Sequence, residues 1–316
     1  MDYQYPTLRG VPYLRYLARM HRHLQPNWYL EVGTNTGKSL SRAIGNSIAV
    51  DPNFIISSDV IGSKPAVHFF QTTSDDFFEA QHARKLCDNI DMAFLDGLHL
   101  FEFLLRDFMH TEKLSTKGSV VAMHDCIPMT YIAAERHWDK KATISWTGDV
   151  WKVVPVLKKY RPDLKVEVLD CPPSGLTIVT NLDPENDVLD RHYDEIIADF
   201  MDLSLVEYGE EKLIKELEIL NSRSWPANKY VGGIAPKKAD LHLSADNANA
   251  PAVPAIHLDK SLSFSIKNPA RTRGNVNMNT WGESFFAQGL ANALRREGHY
   301  VDIHSRRQWN TEQGEG

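Results

Sequence analysis

Two short stretches carry side chains able to move protons. Asp96-Gly97-Leu98-His99 sets a carboxylate and an imidazole a few residues apart, and His124-Asp125 repeats the pairing further along the chain. A third stretch, Trp28 to Lys38 (WYLEVGTNTGK), suits ligand binding. Gly33 and Gly37 lack a Cβ, so they can take positive φ and let a ligand approach the backbone closely. Lys38 to Ile44 reads as helical, which would put a positive helix end and free N–H groups beside the loop, a setting that favours a negative ligand group. Asp51 closes the next apolar run, Ser47 to Val50, where an acid can accept both hydroxyls of a ribose. A glycine loop of this kind is shared by nucleotide binders and by ordinary tight turns. Its G-T-N-T-G spacing differs from the G-x-G-x-x-G of dinucleotide enzymes and argues against NAD.

The elements that must position these residues alternate. Gly10 to Leu24 carries Tyr13, Leu14, Leu17 and Met20 on one helical stripe, and Pro26 ends it. Strands follow at Tyr29–Val32, Ser47–Val50, Val67–Gln71, the run from Ile90 to Leu95, and Ser119–Met123 after a Lys117-Gly118 turn. Ser74 or Asp75 is placed to cap the helix after the third strand. The helix from Phe101 to Met109 is read with Arg106 and Asp107 on its exposed side. Trp146 to Lys159 opens with a tryptophan-rich segment, which either walls a substrate pocket or packs as core. Lys165–Leu169 and Gly175–Thr180 make a late strand pair. Apolar strands alternating with helices, each strand ending in polar residues, indicate an α/β fold with a doubly wound, mostly parallel sheet and its site at the carboxyl ends of the strands. Asp51, Asp96, His99, His124 and Asp125 all fall at such ends. That convergence is harder to explain as structure than any one residue is.

The 316-residue chain carries a net charge of −6, with 42% hydrophobic and 24% charged residues. These are the proportions of an ordinary globular protein, with no basic footprint for nucleic acid. Three scattered cysteines point to reduced thiols and a cytoplasmic protein, and no apolar run approaches a membrane span. Val188 to Asn221 is helical and charge-rich, with Leu213, Leu217 and Leu220 on one stripe that packs on the domain or pairs with another copy. From about residue 226 to 260 the composition turns to Ala, Pro, Asn and Gly and reads as a linker. The division expected is therefore 1–225, a linker 226–260, and a short β-α-β segment over 261–316.

Over about residues 10 to 180 the sequence resembles the class I S-adenosylmethionine-dependent methyltransferases, whose first motif is a variant of E-x-G-x-x-x-G. The resemblance implies a Rossmann-like fold and S-adenosylmethionine as cofactor, held by Glu31, Gly33, Thr34, Asn35, Gly37, Lys38, Asp51 and Asp96. It also implies that Ser74 and Asp75, in the loop after the third strand, hold the adenine amino group. The D-x-x-H loop and the following strand end are similar to metal-assisted O-methyltransferases, including those that methylate sugar hydroxyls. There Asp96, His124 and Asp125 would bind a divalent ion (Mg, Mn or Zn), and His99 would act as base with Asp125. His124 stands where those relatives carry a carboxylate, which leaves the identity of the metal open. The segment after residue 261, with Gly298-His299-Tyr300-Val301, resembles the opening of a GT-B glycosyltransferase. The function implied is O-methylation of a sugar, glycan or other small-molecule hydroxyl. The alternative from another class is a non-catalytic nucleotide-binding or scaffold module for an attached glycosyltransferase. An NAD-dependent sugar epimerase is a weaker third reading, lacking the glycine spacing and a Tyr-x-x-x-Lys pair.

Overall fold

The computed structural model describes residues 8–141, 143, 145–224 and the strands 263–268 and 300–305. Cα packing divides the chain into residues 1–236 and 237–316. In the first unit seven strands form one sheet in the order β3-β2-β1-β4-β5-β7-β6. They are β1 (Trp28–Val32), β2 (Asn46–Val50), β3 (Val67–Phe70), β4 (Ile90–Leu95), β5 (Ser115–His124), β6 (Lys165–Leu169) and β7 (Leu176–Thr180). The first five run parallel, and β7 enters antiparallel to both β5 and β6. Central register pairs Leu30 with Ile48 on one side and with Ala93 on the other.

Parallel strands covered on both faces need apolar residues on both, which is why these runs are near-continuously hydrophobic. One face packs Leu30, Val32, Ile48 and Leu95 against α3 (Phe101–Lys113) and α4 (Val153–Tyr160), with α2 (Ser74–Glu79) beside α3. The other packs Tyr29, Met92 and Phe94 against α1 (Tyr13–Leu24). Strand order reverses between β1 and β4, so the crevice above their carboxyl ends is the switch point at which open α/β sheets bind ligands. Gly33 N–H donates to Val50 O and Asp96 N–H to Val32 O, both at 2.9 Å, tying the three strand ends together.

Several expectations need correction. The helix foreseen over Lys38 to Ile44 is only a 3-10 turn, Leu40–Arg42. Ser41 hydrogen-bonds back to Lys38 O and Ser39 turns its hydroxyl to Glu31, local bonds that compete with a helix. The glycine loop therefore runs into a single 3-10 turn and not into an α-helix N-terminus. Thr73, not Ser74 or Asp75, caps α2, accepting from Asp76 N–H at 3.2 Å. Asp107 is buried at 2% exposure and Arg106 is half-buried, because this side of α3 faces α2 rather than solvent. The turn at Lys117-Gly118 lies inside β5, beside a register shift between Ile90 and Met92. Trp146 to Asp149 precede the helical segment, which begins with a 3-10 turn at Val150.

The helical region after β7 comprises α5 (Val188–Arg191), α6 (Tyr193–Phe200), α7 (Leu205–Tyr208) and α8 (Glu210–Leu217). Leu213 and Leu217 are buried in this unit's own core. Leu220 bridges to Leu169, and Ser222 accepts from Val11 N–H at 2.7 Å. In the second unit β8 (Ser263–Asn268) and β9 (Tyr300–Ser305) pair in parallel. The linker expected over 226–260 and the helix expected between these strands lie outside the described residues.

Candidate active site at the strand ends

The end of β1 is bare backbone. Gly33 has φ +86°, and a Cβ there would lie 2.0 Å from the Asp96 carbonyl oxygen, so only glycine fits between these two strand ends. Gly37 (φ +76°) and Asn35 (φ +45°) complete the left-handed turns of the loop. Asn35 and Lys38 point outward, whereas Thr34 is buried. Glu31 is fully buried, accepting from Tyr29 Oη at 2.6 Å and Ser39 Oγ at 3.0 Å. Burial pushes its carboxyl up to about 7 against those hydrogen bonds. Asp51 ends β2, and its two oxygens accept from Asn35 N–H and Asn53 N–H, each at 2.7 Å. Each oxygen keeps a further lone pair for a ligand hydroxyl.

Ser74 and Asp75, the residues expected to hold the adenine amino group, open α2 and face α3. Asp75 makes a bidentate pair with Arg106, at 2.9 and 2.7 Å, which holds its carboxyl below the usual range. Ser74 faces Asp107, which burial pushes up to about 7.

The ends of β4 and β5 bring the two acid–imidazole pairs into one cluster. His124 Nδ1 lies 3.3 Å from Asp96 Oδ1 and 3.2 Å from Asp125 Oδ1. His99 Nε2 lies 3.5 Å from Asp96 Oδ1 and 3.3 Å from Asp125 Oδ2. Burial alone would depress both imidazoles. Asp125 and Asp96 outweigh it, pushing His124 up to about 10 and His99 up to about 9. Burial opposes ionisation of Asp96 too, but His124 and His99 hold it well below the usual carboxylate range. Asp125 sits in the left-handed region at φ +61°, and the Ser174 hydroxyl donates to its Oδ1.

Sequence reasoning missed the groups that hold this cluster. Trp146 O lies 3.1 Å from His99 Nδ1, which fixes the tautomer with Nε2 toward the acids, and the Trp146 indole stacks on that imidazole at 5.4 Å. Tyr13, at the start of α1, covers His124 with ring centroids 4.0 Å apart. Arg136 ties the tryptophan-bearing segment to the start of α3 through Glu102 and Asp149. These contacts join residues distant in sequence, and no local spacing announces them.

Among the described residues one group has metal-ligand geometry: atoms of Asp96, His124 and Asp125 all lie within 4.8 Å of one another. Two carboxylates and an imidazole are donors of the kind that divalent cations take.

Residues 30–126, less than half of the chain, match the family described as Methyltransferase domain. The segment holds the glycine loop, Asp51 and all four members of the acid–imidazole cluster. No curated protein sequence matches the chain. Similar solved structures include the O-methyltransferase TomG from Streptomyces achromogenes in complex with SAM, at 16% identity, covering 53% of this chain and 78% of that one with a TM-score of 0.40. Another is the O-methyltransferase from Bacillus cereus in complex with SAH, at 15% identity, 55% and 84% coverage and a TM-score of 0.39. A third is the SAH-bound Podospora anserina methyltransferase PaMTH1, at 12% identity, 53% and 77% coverage and a TM-score of 0.38. The sheet order with its reversed seventh strand defines an α/β Rossmann-like fold, and the segment that matches the methyltransferase family lies within it.

Proposed function

We propose that this chain transfers a methyl group from S-adenosylmethionine to a hydroxyl of a small-molecule acceptor, with a sugar or glycan as the preferred class. The observation that carries the reading is the meeting of Asp96, His99, His124 and Asp125 at two strand ends, beside the glycine loop and Asp51. Gly33 to Gly37 would underlie the methionine part and Asp51 the ribose, and Glu31 would complete the pocket from within. The bound donor supplies a methyl group already activated on a sulfonium, so the protein's work is alignment and proton removal.

His99 is the base of this reading. Its Nδ1 is engaged by Trp146 O, which leaves Nε2, on the side of Asp96 and Asp125, to take the acceptor proton once a cation offsets the two acids that otherwise keep it protonated. A sugar hydroxyl has a pKa far above neutrality, a poor match for an imidazole alone. Asp96, His124 and Asp125 would hold a divalent cation there, and such an ion stabilises alkoxide character near neutral pH.

The glycan preference rests on the resemblance of residues 261–316 to a glycosyltransferase opening, and the parallel pairing of β8 with β9 supports a β-α-β unit there. Residues 1–225 would then act as an independent module, joined through 226–260. Free cysteines at 87, 126 and 171 favour a cytoplasmic setting. Among the described residues no helix is long and apolar enough to cross a membrane.

Calorimetric titration with S-adenosylhomocysteine, followed by an acceptor screen read by mass with and without added divalent cation, tests the proposal. Binding of the nucleoside and a gain of one methyl on a hydroxylated acceptor are expected. Tight NAD binding without response to S-adenosylhomocysteine would sink it.

A further inference from the structure

The tryptophans that follow β5 divide into two kinds. Trp151 is fully buried in the core. Trp138 is 45% exposed and Trp146 half-buried, and their indoles lie within 3° of parallel with centroids 5.7 Å apart. Parallel rings at that spacing form a slipped stack, which covers only part of each face. Trp146 stacks in turn on the imidazole of His99, so a row of flat rings runs from the base out to solvent. Both indole N–H groups are spent on backbone, Trp146 Nε1 donating to Glu135 O at 2.7 Å and Trp138 Nε1 to Thr143 O at 3.0 Å. What the exposed ring offers a ligand is therefore an apolar face.

The row is held in place beforehand. Ala133 O accepts from Thr147 N–H and Gly148 N–H, each at 2.9 Å, and a Cβ on Gly148 would lie 1.7 Å from His99 O. The tryptophan-bearing segment is thus pressed directly onto the loop that carries the base. An aromatic side chain fixed in this way loses little freedom when a ligand covers it. Leu98, beside His99, and Ile132, beside Ala133, are each 49% exposed on the same two segments. Single exposed apolar residues need no explanation, but three of the six large ones among the described residues belong to the segments that carry and hold the base. A pyranose matches such a surface. Its C–H groups make one face apolar while its hydroxyls stay at the rim, where the Lys140 ammonium, 4.8 Å from the Trp138 centroid, supplies a donor. We propose that Trp138 and Trp146 form an acceptor subsite that receives the sugar ring next to the one carrying the reacting hydroxyl. The acceptor is then an oligosaccharide rather than a free monosaccharide, an inference that deepens the methyl-transfer reading and rests on it.

The test is a glycan array carrying both monosaccharides and short oligosaccharides, probed with the full chain in saturating S-adenosylhomocysteine. The wild type is expected to be retained by oligosaccharides and not by single rings. Trp138→Ala should weaken that retention by about tenfold, and Trp138→Phe, which keeps a ring but loses the N–H bond to Thr143, should restore most of it. Calorimetry should give all three proteins the same affinity for S-adenosylhomocysteine, since the substitution lies on the acceptor side of the base. Equal retention of Trp138→Ala and the wild type would overturn the proposal. So would a loss that Trp138→Phe fails to repair, which would make the N–H bond to Thr143, and not the ring face, the part that matters. A wild type retained by no sugar would overturn it as well, including one that binds the planar probe catechol in calorimetry. Failure of the wild type to bind S-adenosylhomocysteine would refute the donor itself, a result separate from anything read on the array.

Discussion

His21 allows α1, the helix that lays Tyr13 over the acid–imidazole cluster, to be tested quantitatively. It is fully buried, edge-on to Tyr29 at 4.5 Å, and neither ring nitrogen has a hydrogen-bond partner. Burial, with the Lys64 ammonium adding to it, pushes the imidazole down to about 3. The folded chain therefore keeps His21 neutral where the unfolded chain, with a pKa near 6.5, binds a proton. When the unfolded state binds more protons, stability rises with pH. The contribution of a neutral His21 is thus fully present above about pH 6.5 and is lost as pH falls toward 3. At pH 5 the loss is 1.5 pH units at about 1.36 kcal/mol each, or about 2 kcal/mol. His21→Leu removes the titration and no hydrogen bond, so at pH 7 it should change stability by less than about 1.5 kcal/mol, as volume-conserving core changes do. At pH 5 it should have gained about 2 kcal/mol on the wild type relative to that starting point. Glu31 and Asp107, both raised to about 7, bias the chain the other way, losing their stabilisation as pH rises. They are present in both proteins and cancel in the difference. Urea unfolding at pH 7, 6 and 5 measures it. Parallel pH dependences for wild type and variant would refute the packing assigned to α1.

Further outcomes follow from the site. Once an acceptor is in hand, His99→Ala should lower turnover by about 10²–10⁴-fold with S-adenosylhomocysteine affinity unchanged, and chelator should abolish transfer until one divalent metal is restored. Full activity in chelator would leave His99 working with Asp125 alone. Asp51→Ala should weaken S-adenosylhomocysteine by about 2–3 kcal/mol in calorimetry and lower the melting temperature, since Asn35 and Asn53 lose their acceptor. Unchanged affinity would take Asp51 out of the ribose pocket. Gly33→Ala forces a Cβ against the Asp96 carbonyl and should cost about 1–3 kcal/mol in thermal unfolding, with loss of nucleoside binding. A variant as stable as the wild type would contradict the contact between these strand ends.

Much of the fold was legible because a doubly covered parallel sheet leaves an unambiguous mark. Tyr29–Val32, Ser47–Val50, Ile90–Leu95 and Ser119–Met123 are apolar on both faces, and each ends in the polar residues that form the site. Local competition was less legible. Lys38 to Ile44 has helical composition, yet Ser39 and Ser41 spend their hydroxyls on Glu31 and Lys38, and the helix shrinks to one 3-10 turn. The strand-pair order at the far edge, β5-β7-β6, needed tertiary information, because antiparallel insertion leaves no signature in the strands themselves.

In the site, legibility tracked distance along the chain. Asp96 with His99 and His124 with Asp125 were recoverable because each pair is local and sits at a strand end. The groups that aim them were not: Trp146 O reaches His99 from a loop beyond β5, Ser174 reaches Asp125 across the β6–β7 connection, and Tyr13 comes from the first helix. Charge misled at α3. An acid and an arginine side by side, at Arg106-Asp107, are ordinarily read as a solvated face, since Asp and Arg are seldom fully buried. Here α2 packs against that face, Arg106 turns back to take Asp75, and Asp107 is shut in beneath the loops after β3 and β4. A single helix contact thus turned an acid–arginine pair with the composition of a solvated face into a buried carboxyl and an ion pair between α3 and α2.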